Sequence, residues 1–467
     1  MQDITAKFEA RPCGWDATHI FASKPIKSLT RQSKSISKTI LPDQMYRLTS
    51  RAKLRREEFG GIVQNRWVGT VRAYDHAAFD VILDFKAPIR GSDILQRIGP
   101  EHSDLLSTWL QEGLLVQLER NLQTSSSVAE YFDFNFSSAP IRSPLAIEFE
   151  ITLRCNRHCA YCAYSSGPNV DSSHELGTRF WMDQIAAARD AGVSTIEFTG
   201  GDPLTRPDGH EILQEADAMG IMFTINSDLT VIDEKTTKAI SALQNLIAIQ
   251  TTLDGSSAEI HDQFRGRGAF NHTIASANRL TSEGVPVHAG MIVSRHNYHD
   301  VLGVAELCRK TGISGLFVGS RYAAGRGSQL SHDVPDNDQL GQASRAYARA
   351  VAAGIVDPVH PSFYRALDEY LSEPGTFNHL QNHFAMVKAG LYDFRIDPRG
   401  RCYTSIKIQD TPLFVVGDLQ FDRLLDVWTG SGQLKRLREI CKNDPPNPFQ
   451  SIDATLHGGT QAVGHMI

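Results

Sequence analysis

From residue 145 onward, apolar residues fall into short blocks, each followed by a longer stretch in which they recur every three or four positions. The blocks are Leu145–Leu153, Thr195–Phe198, Met222–Asn226, Ile247–Leu253, Val287–Val293 and Gly315–Val318. Short apolar runs bounded by turns read as strands buried on both faces, and the longer period reads as amphipathic helix. Helices are expected over His174–Ala191, Gly209–Met219, Asp233–Leu243, Asn271–Glu283 and Tyr298–Thr311. This order predicts an α/β fold with a parallel sheet, an open (β/α)6 partial barrel rather than a closed eightfold ring. Open sheets of this kind bind ligands at the C-terminal ends of their strands, so the residues just past each strand matter most.

The flanks are patterned differently. Residues 1–43 lack periodicity, and the Lys- and Ser-rich run from Lys24 to Lys38 predicts a flexible arm. Residues 44–122 form a small separate domain. Phe59–Gln64 and Val68–Tyr74 read as strands joined by a turn at Asn65–Trp67. Three helices follow, with apolar faces at Ala77, Val81, Ile82 and Phe85, then Ile94, Leu95 and Ile98, then Leu105, Leu106, Trp109 and Leu110. Strands followed by three helices predict a winged-helix-like domain. The third helix, Glu101 to Glu112, holds no Arg or Lys, which argues against a phosphate-facing role. The strand near Phe59–Val63 is the expected open edge, because Gly60 and Gly61 let another backbone approach. Residues 123–144 read as a Ser-rich linker, and residues 331–467 as a mixed C-terminal α+β region.

Composition narrows the classes. Lys+Arg 47 against Asp+Glu 53 gives a net charge of -6, against a general nucleic-acid binder. No apolar run of membrane-spanning length and no signal-peptide pattern are present, so a cytoplasmic protein without membrane attachment is expected. Of 7 cysteines, three fall within eight residues, and in a reducing compartment such a group reads as a metal or redox centre.

That group is Cys155, Cys159 and Cys162, on the loop that leaves the first barrel strand. Three thiolates can each bind one iron of a cubane and leave the fourth iron free for another ligand. Zinc is the rival, with His158 as a conceivable further ligand, although structural zinc usually takes four protein ligands.

The C-x3-C-x2-C spacing, with Tyr161 before the last cysteine, resembles the radical S-adenosylmethionine (SAM) superfamily. The resemblance implies one [4Fe-4S] cluster on the three cysteines. It also implies SAM on the free iron, cleaved by one electron from an external donor such as flavodoxin or ferredoxin to give a 5′-deoxyadenosyl radical. Gly200-Gly201-Asp202-Pro203 matches the family's Gly-Gly-Glu-Pro, which contacts the methionine amino group. Thr252-Leu253-Asp254-Gly255 with His261-Asp262 and Arg265-Gly266 resembles a stretch of the peptide-modifying subgroup, implying Thr252 near the ribose and Arg265 near the SAM carboxylate. Asn226 and Ser227 are further nucleoside candidates, Tyr164 is the catalytic candidate, and Gly325-Arg326-Gly327 resembles the end of that core.

The C-terminal region resembles a SPASM domain without its cluster cysteines. Ile396-Asp397-Pro398-Arg399-Gly400 is kept, but Val387, Ser405 and the tail Leu456-His457-Gly458-Gly459-Thr460 stand where cysteines are expected. Residues around Arg55-Arg56 and Phe59-Gly60-Gly61 resemble a peptide-recognition domain that binds a leader by β-augmentation. Together these imply a maturase acting on a ribosomally made precursor peptide. The alternatives are a radical SAM enzyme for a small molecule or whole protein, and a catalytically silent peptide-binding accessory protein.

Overall fold

The computed structural model describes residues 40–50, 52–57, 60–65, 70–98, 103–111, 113–118, 130–132, 142–320, 324–358, 393–404 and 415–443. The expected arm through residue 39, most of the linker, Phe59, Val387, Ser405 and the tail at 456–460 lie outside them. The chain divides into two compact units, Met1–Ser137 and Ser138–Ile467.

The first unit runs β1 (Met45–Leu48), β2 (Ala52–Glu57), β3 (Gly60–Asn65), β4 (Thr70–Asp75), α1 (His76–Asp84), β5 (Ile89–Arg90), α2 (Gly91–Ile98), α3 (Ser103–Gln111), β6 (Leu115–Leu118) and β7 (Glu130–Phe132). Its described residues form two sheets, β5-β1-β6 and β4-β3-β2-β7. The core is aromatic. Trp109 packs edge-on against Tyr74 and Phe85 at 5.8 and 6.4 Å, and its indole N–H donates to the Tyr74 hydroxyl at 3.1 Å.

One expectation is corrected here. β3 is not an edge: it pairs with β2 on one side and β4 on the other, and the sheet ends at β4 and β7. The sequence reading missed β2 because its residues, AKLRRE, do not alternate apolar with polar. All but the half-exposed Arg56 are nonetheless inside, with Arg55 donating to Glu57 at 2.7 Å as a buried pair. Gly61 also has a different reason from the expected one. A Cβ there would sit 2.3 Å from the Phe79 ring, so the missing side chain makes room for α1.

The second unit follows the expected alternation: β8 (Ala146–Thr152), α4 (Thr178–Asp190), β9 (Thr195–Gly200), α5 (Gly209–Ala218), β10 (Met222–Asn226), α6 (Glu234–Ser241), β11 (Leu246–Thr252), α7 (Ala258–Arg265), α8 (Ala269–Ser282), β12 (Val287–Val293), α9 (Val301–Thr311) and β13 (Gly315–Ser320). The helix α7 was not anticipated; its eight residues are too few to show a clear period. After β13 come α10 (Asn337–Ala352), β14 (Asp357–Pro358), β15 (Asp393–Ile396), β16 (Arg401–Tyr403), β17 (Val415–Asp418), α11 (Leu424–Gly430) and α12 (Gly432–Asn443). All these strands share one sheet, β14-β13-β12-β11-β10-β9-β8-β15-β16-β17. β8 to β13 are parallel neighbours in chain order, the partial barrel, and β15 adds in parallel to the far side of β8. The C-terminal strands therefore continue the barrel's sheet rather than forming one of their own.

β8 shows why both faces of this sheet are lined. Phe149 points towards the helices, 5.3 Å from Trp181 and 5.8 Å from Phe198. By strand alternation Glu148, Glu150 and Thr152 share the opposite face, where all three are buried. No helix among the described residues is long and apolar enough to cross a membrane.

Candidate active site at the C-terminal ends of the barrel strands

The loop after β8 carries Cys155, Cys159 and Cys162, each a free thiol. It is braced from several directions. Thr152 at the end of β8 donates to Glu175 at 2.9 Å and accepts from Arg154 N at 2.9 Å. Arg326 donates to the Cys159 carbonyl and the Ser166 carbonyl, both at 2.8 Å, and its own N–H donates to the Cys162 carbonyl at 3.0 Å. Gly325 has φ +54, and a Cβ there would lie 2.5 Å from the Ala163 carbonyl oxygen. The Gly-Arg-Gly motif, read from sequence only as the end of the core, is thus the clamp on the cysteine loop.

The pair Gly200-Gly201 presses on the same loop from β9. Gly200 has φ +111, a Cβ on it would meet the Thr152 carbonyl oxygen at 2.3 Å, and one on Gly201 would meet that of Arg154 at 2.0 Å. Two hydrogen bonds follow from this approach, Gly201 N to Thr152 O at 2.7 Å and Asp202 N to Arg154 O at 2.8 Å. Only glycine fits so close a crossing.

Asp202 is fully buried, and its carboxylate is spoken for. It accepts from Leu204 N at 3.0 Å, Ser227 Oγ at 2.7 Å and Asp228 N at 3.1 Å, tying the end of β9 to the loop after β10. Burial, reinforced by the neighbouring Asp228, holds its carboxyl well above the usual carboxylate range. Asn226 donates to Glu197 at 2.6 Å and Thr199 at 3.0 Å, while its side-chain carbonyl oxygen is buried without a partner among the described residues.

On the other side, Asp254, just past β11, ties together β12, α7 and the cysteine loop. It accepts from Arg265 Nε at 2.7 Å, from Ile292 N at 3.0 Å and from the Tyr161 hydroxyl. Arg265 lies over the Tyr161 ring at 4.8 Å and reaches Cys159 Sγ at 3.5 Å. Its guanidinium therefore faces the Cys159 thiol and a carboxylate at once. Burial lowers His261 to about 4, so its ring is neutral, and Nδ1 accepts from Asp254 N at 3.1 Å.

A cleft between these loops is lined by Arg157, Asp228, Thr252, His261 and Arg265. Of the expected SAM contacts, Thr252 and Arg265 line this cleft. Gly200, Gly201, Asp202 and Ser227 shape the loops beside it. Sequence reading passed over Arg157 and Asp228, which join at 3.5 Å, because neither sits in a motif.

Tyr164 belongs to a different group. Its hydroxyl accepts from Arg395 at 2.5 Å, and the same guanidinium reaches Glu150 at 3.2 Å and also pairs with Glu148. Burial is the largest influence on Glu150 and raises it to about 8; Arg395 opposes this and Glu148 adds to it. Arg395 comes from β15, so the C-terminal region supplies a cation to the inner face of the barrel.

Among the described residues no three His, Cys, Asp or Glu converge on a single ion site. A cubane asks for no such convergence, since each thiolate takes a different iron. Burial, reinforced by Asp228, pushes the Cys155 thiol up, so its thiolate needs a bound cation to offset the charge.

Residues 149–323 match the model of the Radical SAM superfamily. The mycofactocin maturase MftC of Mycobacterium tuberculosis is 29% identical over 303 residues, covering 64% of this chain and 73% of that protein. An AdoMet-dependent heme synthase of Methanosarcina barkeri is 24% identical over 320 residues, 64% of this chain and 86% of that one. Among solved structures, Streptococcus suis SuiB bound to S-adenosylmethionine is similar over 84% of this chain and 90% of its own, with TM-score 0.60 and 14% identity. SuiB bound to its precursor peptide SuiA gives a TM-score of 0.56. At that identity the likeness is one of fold.

Proposed function

We propose that this chain, whose residues 149–323 are a radical SAM domain and whose cofactors are accordingly a [4Fe-4S] cluster and SAM, is a maturase that modifies a ribosomally made precursor peptide. The observation that carries the reading is the braced loop with three free thiols at the end of the first barrel strand. The similarity to MftC and the fold shared with SuiB support a peptide as the substrate. The sequence resemblance of residues 44–122 to a peptide-recognition domain adds a docking site for the leader. Cytoplasmic location, an external one-electron donor and independence of nucleic acid and membranes complete the reading.

The residues suit both cofactors. Three thiols without a fourth cysteine on the loop leave one corner of a cubane for SAM. Two buried polar atoms, Arg157 Nη2 on the cysteine loop and Asn226 Oδ1 at the end of β10, lack a hydrogen-bond partner among the described residues and suit a polar ligand. When bound, the cluster and SAM supply a one-electron cleavage of the sulfonium and a carbon radical that takes hydrogen from the substrate. The chain's own residues do the positioning. Arg326 and the Gly200-Gly201 crossing hold the loop, Asp202 and Asp254 fix the loops around it, and Tyr164 with Arg395, Glu148 and Glu150 lines the inner face of the barrel.

The test is an anaerobic reaction of reconstituted protein with SAM and dithionite, with and without the short peptide encoded beside its gene. Deoxyadenosine should form, and the peptide should change mass only with SAM present. Absence of deoxyadenosine under every condition sinks the reading. The heme synthase relative favours one second reading, a small-molecule substrate. A heme-precursor tetrapyrrole consumed in place of the peptide would establish that one.

A further inference from the structure

Three segments far apart in sequence meet on the inner face of the barrel: β8, the end of the cysteine loop, and β15. β15 runs parallel to β8 with Arg395 in register with Glu148, so the arginine enters the barrel at the level of the two glutamates. Its Nη1 serves both Tyr164, at 2.5 Å, and Glu150, at 3.2 Å, while Nη2 pairs with Glu148. Both glutamates are buried. The guanidinium is therefore fixed, because swinging it away would leave two enclosed carboxyl groups uncompensated.

Tyr164 is held more lightly. It is half-buried, and its hydroxyl oxygen accepts from Arg395. That bond occupies the oxygen and leaves the phenol proton without an acceptor among the described residues. The backbone beside it is built for this pose. Ser165 has φ +54, a region that residues other than glycine seldom adopt and that persists where the surroundings enforce it. Here Ser165 N–H donates to the Cys162 carbonyl at 3.3 Å, and Arg326 holds the Ser166 carbonyl at 2.8 Å. A phenol held at its oxygen and unengaged at its proton is a hydrogen-bond donor aimed into the barrel. A peptide offers an acceptor at every residue, its backbone carbonyl oxygen.

We infer that Arg395 is a positioning residue, supplied by the C-terminal region, that holds the Tyr164 phenol for a backbone carbonyl of the substrate peptide. β15 then belongs to the substrate site as well as to the sheet. This rests on the peptide reading above and adds to it a contact and the residue that sets it.

The test is a double-mutant cycle on full-length, anaerobically reconstituted protein, with iron measured for every variant. The variants are Tyr164→Phe, Arg395→Met and the two together, and the probe is the short peptide encoded beside the gene. Tyr164→Phe should lower kcat/KM for that peptide about twofold to tenfold, the range for one hydrogen bond between neutral groups. Arg395→Met should lower it as well, and the double variant should fall no further than the worse single one, because Arg395 acts through the phenol. Arg395→Lys keeps the cation and should recover part of the loss; it takes the place of Arg395→Met in the cycle if that variant does not fold. A second readout needs neither cofactor nor peptide. With 3-fluorotyrosine at position 164 of the full-length chain before reconstitution, the fluorine line should move in Arg395→Met and return towards its original position in Arg395→Lys. Unchanged kcat/KM in Tyr164→Phe, losses that multiply in the double variant, or a fluorine line indifferent to Arg395→Met overturns the inference. Wild-type protein that cleaves SAM and leaves the peptide untouched would instead strike the proposed function, on which the fluorine line does not depend.

Discussion

Both units place a glycine where another part of the chain presses in, and both bury ion pairs on a strand, but the two devices serve different ends. In the first unit Gly61 yields to the Phe79 ring and Arg55 pairs with Glu57 two residues along the same strand. These contacts are local and complete a core. In the second unit Gly200 and Gly201 yield to backbone carbonyls at the start of the cysteine loop, and Arg395 crosses from β15 to carboxylates on β8. There the same devices position loops. Damage in the first unit should therefore appear as lost stability, and damage in the second as lost cofactor.

The largest effect tests the second half of that contrast. Replacing Cys155, Cys159 and Cys162 by Ala should take bound iron from about four per chain to none, and visible absorbance and deoxyadenosine with it. Close to eight irons in the unaltered protein would mean that the C-terminal region binds a cluster of its own. Next comes Trp109→Ala, which empties the aromatic core of the first unit. A loss of about 3–5 kcal/mol is expected in denaturant unfolding followed by a probe in that unit. Iron content should stay the same. A parallel fall in iron would end the separation between the two kinds of damage.

How far each region was legible follows from the same difference. β8 to β13 lie largely buried in a parallel sheet, so they stand out as apolar blocks even with Glu148 and Glu150 among them. The cysteine loop, Gly200-Gly201 and Thr252 were legible because motifs keep order along the chain. β2 was not, since Lys53, Arg55 and Glu57 are buried through pairing that no periodicity reveals. Without β2 the neighbours of β3 cannot be counted from the sequence, and β3 reads as an edge. Arg157 and Asp228 were missed for another reason: 71 positions separate them in the numbering, and only the fold of the β10 loop brings them within 3.5 Å.

Matched glycine substitutions sharpen the contrast at a smaller scale. Gly61→Ala drives a methyl group into a ring that can shift, costing about 1–3 kcal/mol of stability in the first unit. Iron should be unaffected. Gly201→Ala drives the same methyl into the Arg154 carbonyl, which is backbone and cannot rotate away. It should reduce iron retained after desalting, with far-ultraviolet circular dichroism unchanged. Equal iron in the two variants would show that the crossing at Gly201 does not set the loop.

The smallest expected effect lies in the pH dependence of the charge cluster on the barrel's inner face. Burial raises Glu150 from 4.5 to about 8, partly offset by Arg395, so the folded protein holds a proton there that the unfolded chain releases. A raised folded value stabilises most below the unfolded one, and the contribution fades as pH rises through the folded one. Stability attributable to Glu150 should therefore fall between about pH 4.5 and about pH 8. Glu148 and Arg395 share the charge, so the observable loss is placed at about 1–2 kcal/mol, below what an isolated shift of this size implies. Glu150→Gln keeps the shape and cannot ionise, so it should flatten that part of the profile in urea unfolding of the second unit. A slope that survives the substitution would assign the titration to another group. A slope of opposite sign would mean that Arg395 outweighs burial and holds Glu150 ionised, leaving a carboxylate rather than a proton donor beside Tyr164.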